Sequence, residues 1–183
     1  MRVISGTRRG RKLMDFDGEY IRPTTDRVKE AMFNLIQGKT SEAVVYDAFA
    51  GTGGLGIEAV SRGARCVYCT DTDERSIQVI RKNYEGCDFS DKCEIYKTSA
   101  TDFLEKTDKH FDLVFMDPPY NKNLVTPALE VIARRKLLTP CGLVVVETDG
   151  VEDAFDFSGF NLEKQRKYGR TVISVLSLQQ KEV

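Results

Sequence analysis

The chain has 183 residues, 27 basic and 28 acidic, with a formal net charge of −1 and 41% apolar residues. That length suits one domain with a single adequate core, and the charge balance excludes a protein coated in positive potential. No run approaches the roughly 20 apolar residues that a membrane span requires, and the basic start leads into no apolar h-region, so no signal peptide is expected.

Arg2, Arg8, Arg9, Arg11 and Lys12 crowd the first twelve residues with no acid among them. Interleaved with Gly6 and Gly10, and alternating in Arg2-Val3-Ile4-Ser5, they predict a mobile basic hairpin or arm over 1–20, ahead of a main domain over 21–183. Such an arm suits phosphate contacts. A helix is expected to start around Thr24 to Asp26, where hydroxyl and carboxylate cap free N–H groups. It buries Val28, Met32, Leu35 and Ile36 and stops at Gly38. Strand 43–49, helix 54–62, strand 65–71, helix 73–85 and strand 93–97 follow. Then come a short helix 100–106, strand 111–116, helix 123–134 and strand 142–147. The tail, Phe160 to Leu162 through Val172 to Leu178, closes the sheet as an antiparallel hairpin. Alternating strands and helices with short links imply a Rossmann-like, doubly wound α/β fold. The sheet has seven strands, mostly parallel, with helices on both faces.

Two motifs sit at strand ends in this scheme. Asp47-Ala48-Phe49-Ala50-Gly51-Thr52-Gly53-Gly54-Leu55-Gly56 joins the first parallel strand to a helix, and Gly51, Gly53 and Gly56 satisfy G-x-G-x-x-G. Strand, glycine-rich turn and helix bring backbone N–H groups close to a ligand. Asp71 lies 20 residues beyond Gly51 at the end of the next strand, where an acid holds ribose hydroxyls. The second motif, Asp117-Pro118-Pro119-Tyr120, ends the run Phe111-Asp112-Leu113-Val114-Phe115-Met116. The prolines stiffen the backbone and leave carbonyls free to accept, Asp117 accepts from an amino group, and Tyr120 offers a stacking face. The turn also admits NAD, but hydride transfer wants a positioned acid or base. The single histidine, His110, falls in a polar loop before a strand. S-adenosylmethionine needs the same ribose acid and no phosphate cradle, and Asp117-Pro118-Pro119-Tyr120 then serves as the clamp on an amine substrate.

On these residues the chain resembles a class I S-adenosylmethionine-dependent methyltransferase. It is most similar to the bacterial family that methylates the N2 amine of a guanine in small-subunit (16S) ribosomal RNA. The resemblance rests on Arg8 to Leu13, Arg22-Pro23-Thr24-Thr25-Asp26-Arg27 through Asn34, Asp47 to Gly63, Asp117 to Tyr120 and Tyr168-Gly169-Arg170-Thr171, and spans nearly the whole chain. It implies cofactor contacts from Asp47, Gly51, Gly53, Gly56 and Asp71. Ser99 and Ala100 stand where the family meets the adenine, with Asp102 as a substitute acid nearby. It implies catalytic roles for Asp117, Pro118 and Tyr120. It also gives ribosomal RNA, or a small-subunit particle, as the partner of Arg8, Arg9, Arg11, Lys12 and Arg22.

An exocyclic guanine amine is a poor nucleophile because its lone pair is delocalised into the ring. Asp117 and the Pro118 carbonyl, accepting its two N–H bonds, favour a pyramidal nitrogen aimed at the methyl group, and orientation supplies much of the rate. The base must leave its stack to reach the cleft, and no metal is required. The departing proton goes to Asp117 or to water. Cys66, Cys69, Cys87, Cys93 and Cys141 are expected as free thiols in a reducing cytoplasm. Cys66 and Cys69, three apart on one strand, face opposite sides and do not share a metal. A monomer is expected. Three rivals share part of this pattern: a DNA adenine or cytosine amino-methylase, a small-molecule amine methyltransferase, and a non-catalytic RNA-binding module.

Overall fold

The apolar runs of this chain alternate between strand and helix periods, and each folds accordingly. In the computed structural model, residues 1–15, 25–119, 123–150 and 155–179 are described. Helix α1 (Asp26–Leu35) is capped by the Thr25 hydroxyl, which accepts from the Val28 N–H at 3.3 Å. There follow β1 (Val44–Asp47), α2 (Gly54–Ser61), β2 (Cys66–Asp71), α3 (Glu74–Gly86), β3 (Cys93–Lys97), α4 (Ala100–Lys106), β4 (Phe111–Met116), α5 (Val125–Arg135), β5 (Leu138–Thr148), β6 (Phe160–Tyr168) and β7 (Thr171–Leu178). The strands form one seven-stranded sheet in the order β3-β2-β1-β4-β5-β7-β6. The first five are parallel, and β7 runs antiparallel to both β5 and β6.

Strand alternation divides the core in two. On β4, Leu113 and Phe115 join the cluster built from α1, α2 and α3, with Met32, Phe33, Ile57 and Ile80. Val114 and Met116 face the opposite cluster, with Leu129 and Ile132 of α5 and Leu104 of α4. All four β4 side chains are fully buried, as a central parallel strand covered on both faces should be. Cys69 and Cys66 fall into these two different clusters. Cys69 Sγ lies 3.6 Å from Cys93 Sγ, and all five cysteines are free. His110 is exposed ahead of β4. Among the described residues no helix is long and apolar enough to cross a membrane.

The basic N-terminal segment is a hairpin, closed by an Arg2–Lys12 bridge and by the Val3 N–H donating to Arg11 O at 2.9 Å. It is not the mobile arm that its composition suggests. Val3 and Leu13 are buried in the core. The Ile4 and Ser5 N–H groups donate to the Glu58 carboxylate at 2.7 and 3.0 Å, and the Thr7 N–H donates to Ser61 O at 2.8 Å. Glu58 is a lone acid within the apolar helix α2, and two cations hold its charge there: Arg62 at 2.7 Å and the fully buried Lys29 at 3.5 Å. Burial pulls the Lys29 ammonium below its ordinary value, and Glu58 opposes that shift. β5 begins at Leu138 rather than 142, and the expected C-terminal hairpin forms from β6 and β7, turning between Tyr168 and Thr171.

Candidate active site

The strand order reverses between β1 and β4, and open α/β sheets bind ligands at such a switch, beyond the carboxyl ends of the strands. The turn after β1 is held in shape from three sides. The Ala48 N–H donates to Phe115 O and the Ala50 N–H to Thr70 O, both at 3.0 Å. The Asp47 carboxylate accepts the Gly56 N–H at 3.1 Å from behind the turn. Gly53 precedes α2 with φ +78°, a left-handed conformation that disfavours any side chain. Gly56 carries a packing constraint instead: a Cβ there would stand 2.3 Å from the Tyr84 hydroxyl.

Asp71 closes the turn from β2. One carboxylate oxygen accepts the Gly51 N–H and the other the Asp73 N–H, each at 2.9 Å. Burial raises the Asp71 pKa, and the two backbone N–H groups oppose that rise. Asp47 is pushed up further, to about 7, by complete burial, with Asp117 and Asp71 adding negative potential. Its Oδ1 has no hydrogen-bond partner among the described residues. A buried network links the floor of the site: the Tyr46 and Thr70 hydroxyls lie 2.8 Å apart, and Tyr46 donates to Ala100 O at 3.3 Å. Ser99 caps α4 by accepting the Asp102 N–H at 3.1 Å and donates its hydroxyl proton to the Asp102 carboxylate at 2.7 Å.

These ends enclose a cavity of about 730 Å³, within the size range of small-molecule and cofactor sites. Gly51, Thr52 and Leu55 line it from the turn, Asp71 and Thr72 from β2, Ser99 and Ala100 from α4, and Asp117, Pro118 and Pro119 from the end of β4. The structure therefore brings Gly51, Asp71, Ser99, Ala100, Asp117 and Pro118 to one cavity. Asp47, Gly53 and Gly56 stand outside the lining and shape the turn from beneath. Tyr120 and Arg22 lie outside the described residues.

The basic hairpin residues are placed elsewhere. The Arg8 guanidinium donates to Cys87 O at 2.8 Å, pairs with Asp88 at 3.3 Å and lies over the Phe89 ring. Cys87 caps the end of α3, and Ser61, against which the hairpin also packs, ends α2. From Gly54 at the cavity to Ser61, α2 recedes about 10 Å at 1.5 Å per residue. Arg9, Arg11 and Lys12 are exposed on this hairpin. Sequence reasoning missed Met1 and Lys29, which close the cavity on the α1 side. The one available signal was Glu58 itself, because an acid inside an apolar helix needs a buried cation.

The cavity chemistry fits a cationic, nucleoside-bearing cofactor: closely approaching backbone, the carboxylates of Asp71 and Asp117 in the lining, and Asp47 beneath it, with burial raising the pKa of Asp47 and Asp71. Residues 1–177 match the model of a family described as Conserved hypothetical protein 95. The chain is 36% identical over 172 residues to Ribosomal RNA small subunit methyltransferase D of Haemophilus influenzae, covering 92% of this chain and 89% of that protein. Its fold matches the solved structure of the Escherichia coli protein yhhF with a TM-score of 0.86 and 30% identity over 98% of both chains. It also matches the fold of an RNA methyltransferase from Salinibacter ruber in complex with S-adenosyl-L-homocysteine, with a TM-score of 0.67 and 20% identity over 88% of this chain and 96% of that one.

Proposed function

We propose that this chain, which belongs to the Conserved hypothetical protein 95 family of class I S-adenosylmethionine-dependent methyltransferases, methylates small-subunit ribosomal RNA at the exocyclic N2 of a guanine. The observation that carries the reading is the shared cavity. Asp117 and Pro118, rigid at the end of β4, open into the same space as Gly51 and Asp71. Bound S-adenosylmethionine supplies an electrophilic methyl group on a sulfonium. Gly51, Thr52 and Asp71 hold its ribose and amino-acid portions, and Ser99 and Ala100 border its adenine.

Asp117 accepts one N–H of the target amine and the Pro118 carbonyl accepts the other. The nitrogen is thereby oriented with its lone pair toward the cofactor, which is the part of the barrier that positioning lowers. Pro118 and Pro119 keep that clamp stiff, since neither can rotate about φ. Asp117, or water in the open part of the cavity, takes the proton once the new C–N bond has formed. Tyr120 stacks on the extruded base, Arg9, Arg11 and Lys12 hold RNA phosphates away from the chemistry, and Arg22 adds a further phosphate contact. Arg8, already engaged by Cys87 and Asp88, contributes by fixing the hairpin.

The test is incubation with labelled S-adenosylmethionine and, in parallel, ribosomal RNA, small-subunit particles and DNA. Mass spectrometry of ribosomal RNA from cells lacking the protein accompanies it. The reading requires label on small-subunit RNA and one N2-methylguanine missing from the cellular RNA. Label on DNA adenine or cytosine, or unchanged RNA, overturns it. The Asp117→Ala variant should bind cofactor normally and lose turnover by at least about 100-fold, the lower range for a positioned proton-transfer or orienting group.

A further inference from the structure

We infer that the β6–β7 hairpin is a second RNA-contacting surface, and the one next to the chemistry, with Arg166, Lys167 and Arg170 holding phosphates that flank the target nucleotide. The inference rests on the ribosomal RNA reading and assigns residues to it that neither motif contains.

Strand register places the hairpin. One row of backbone pairs crosses Met116 of β4, Val146 of β5, Ser174 of β7 and Gln165 of β6. The next rows toward the cavity contain Glu147, Ile173 and Arg166, then Thr148, Val172 and Lys167. Asp117 leaves β4 immediately after Met116, so Arg166 stands about level with it, three strand spacings across the sheet. At 4.7–4.9 Å per strand that is about 14 Å. The turn beyond, Tyr168-Gly169-Arg170-Thr171, therefore projects at the cavity end of the sheet. The N-terminal hairpin turn, by contrast, packs against the far ends of α2 and α3.

The chemistry of the strand fits an anionic chain. Residues 160–170 carry four cations, Lys164, Arg166, Lys167 and Arg170, and one acid, Glu163. Asn161 to Lys167 are all exposed. Glu163 accepts from Ser177 at 2.5 Å toward the opposite end. Lys164 is committed to Leu35 O at 2.7 Å, whereas the Arg170 guanidinium pairs with Asp149 at 2.7 Å yet stays 75% exposed. Among the described residues β6 is also the last strand of the sheet, with one edge unpaired. Charges on such an edge discourage strand addition by another protein. That role alone would make their removal promote aggregation and leave RNA affinity untouched.

The test compares Arg166→Gln with Lys167→Gln in one double variant against the wild type, using a small-subunit ribosomal RNA transcript and the assembled particle. Arg81→Gln with Lys82→Gln, exposed on α3, is the equal-charge control. The double variant should bind RNA about 10-fold more weakly near 0.1 M salt. The slope of log affinity against log salt should fall by about 1.4 to 1.8, because each lost phosphate contact removes 0.7–0.9. Cofactor affinity and saturated kcat should hold, and the control should match the wild type. If the double variant aggregates, Lys167→Gln alone decides, with about half that slope change. Wild-type affinity and slope in the β6 variants, or an equal loss in the control, overturns the inference and leaves the ribosomal reading standing. A wild-type protein that neither binds nor methylates the RNA overturns both.

Discussion

Asp47 is expected to make cofactor binding a proton-linked event. Its carboxyl rises from 3.8 to about 7 through burial and the nearby Asp117 and Asp71, while the unfolded chain keeps the ordinary value. The folded protein therefore holds one more proton than the unfolded chain between about pH 4 and pH 7. The contribution of Asp47 to the stability of the cofactor-free protein is fully present below about pH 4 and is lost as pH rises through 7. At 1.36 kcal/mol per unit the full loss is about 4 kcal/mol. S-adenosylmethionine carries a sulfonium and an ammonium, so it favours ionised Asp47 and lowers that pKa on binding. At pH 6 the free site is about nine-tenths protonated, and affinity should rise about tenfold between pH 6 and pH 8. Calorimetry in two buffers of different ionisation enthalpy should record about 0.9 proton released per cofactor at pH 6 and about 0.1 at pH 8. Asp47→Asn should abolish both effects. Affinity that stays flat from pH 6 to pH 8 with no proton exchange, or a tenfold rise that persists in Asp47→Asn, refutes the reasoning.

Three further outcomes follow from the geometry. Asp71→Ala removes the acceptor of two backbone N–H groups and the proposed ribose acid together. Equilibrium titration should show cofactor affinity falling by about 1.5–3 kcal/mol, the worth of a charged hydrogen bond, and an unchanged affinity would exclude Asp71 from the cofactor site. Glu58→Gln leaves the Lys29 ammonium buried beside a neutral amide. Chemical denaturation should register a loss of about 3–5 kcal/mol, and a loss below about 1 kcal/mol would mean that the Arg2 carbonyl, which accepts from Lys29 Nζ at 2.5 Å, alone satisfies it. Gly56→Ala forces a methyl group against the Tyr84 hydroxyl. It should cost about 1–3 kcal/mol in the same assay and weaken cofactor binding, since the turn must shift to admit it.

The parallel half of the fold was legible because its strands are buried on both faces and its helices on one, so hydrophobic period alone separates them. The glycine turn, Asp71 and Asp117 were legible for a different reason: their spacing follows strand-end geometry rather than packing detail. β6 was mostly invisible. Asn161 to Lys167 are exposed whichever way they point, so the segment has no apolar alternation, and its strand state comes from pairing with β7. The early start of β5 was hidden by Pro140 and Gly142, which sit where its register against β4 shifts. The docking of the N-terminal hairpin was equally hidden. Basic residues among glycines read as a solvated arm, and what anchors them is mainly backbone N–H groups meeting Glu58 and Ser61, which sequence composition does not display.

That docking also sets an order of events as the chain leaves the ribosome. Ile4 waits for a partner 54 residues later and Arg8 for one 79 residues later, so this segment, synthesised before its partners, is among the last to find its place. Contacts of such separation are slow to form because loop closure precedes any gain. Until α2 and α3 have emerged and packed, Val3 and Leu13 have no core to enter, and the basic segment trails free. The glycine turn, by contrast, draws most of its bonds from β1, α2 and β2, which are contiguous, and only the Ala48 N–H reaches ahead to Phe115 of β4. A nascent chain should thus assemble most of the cofactor turn first and dock the basic hairpin against it afterwards.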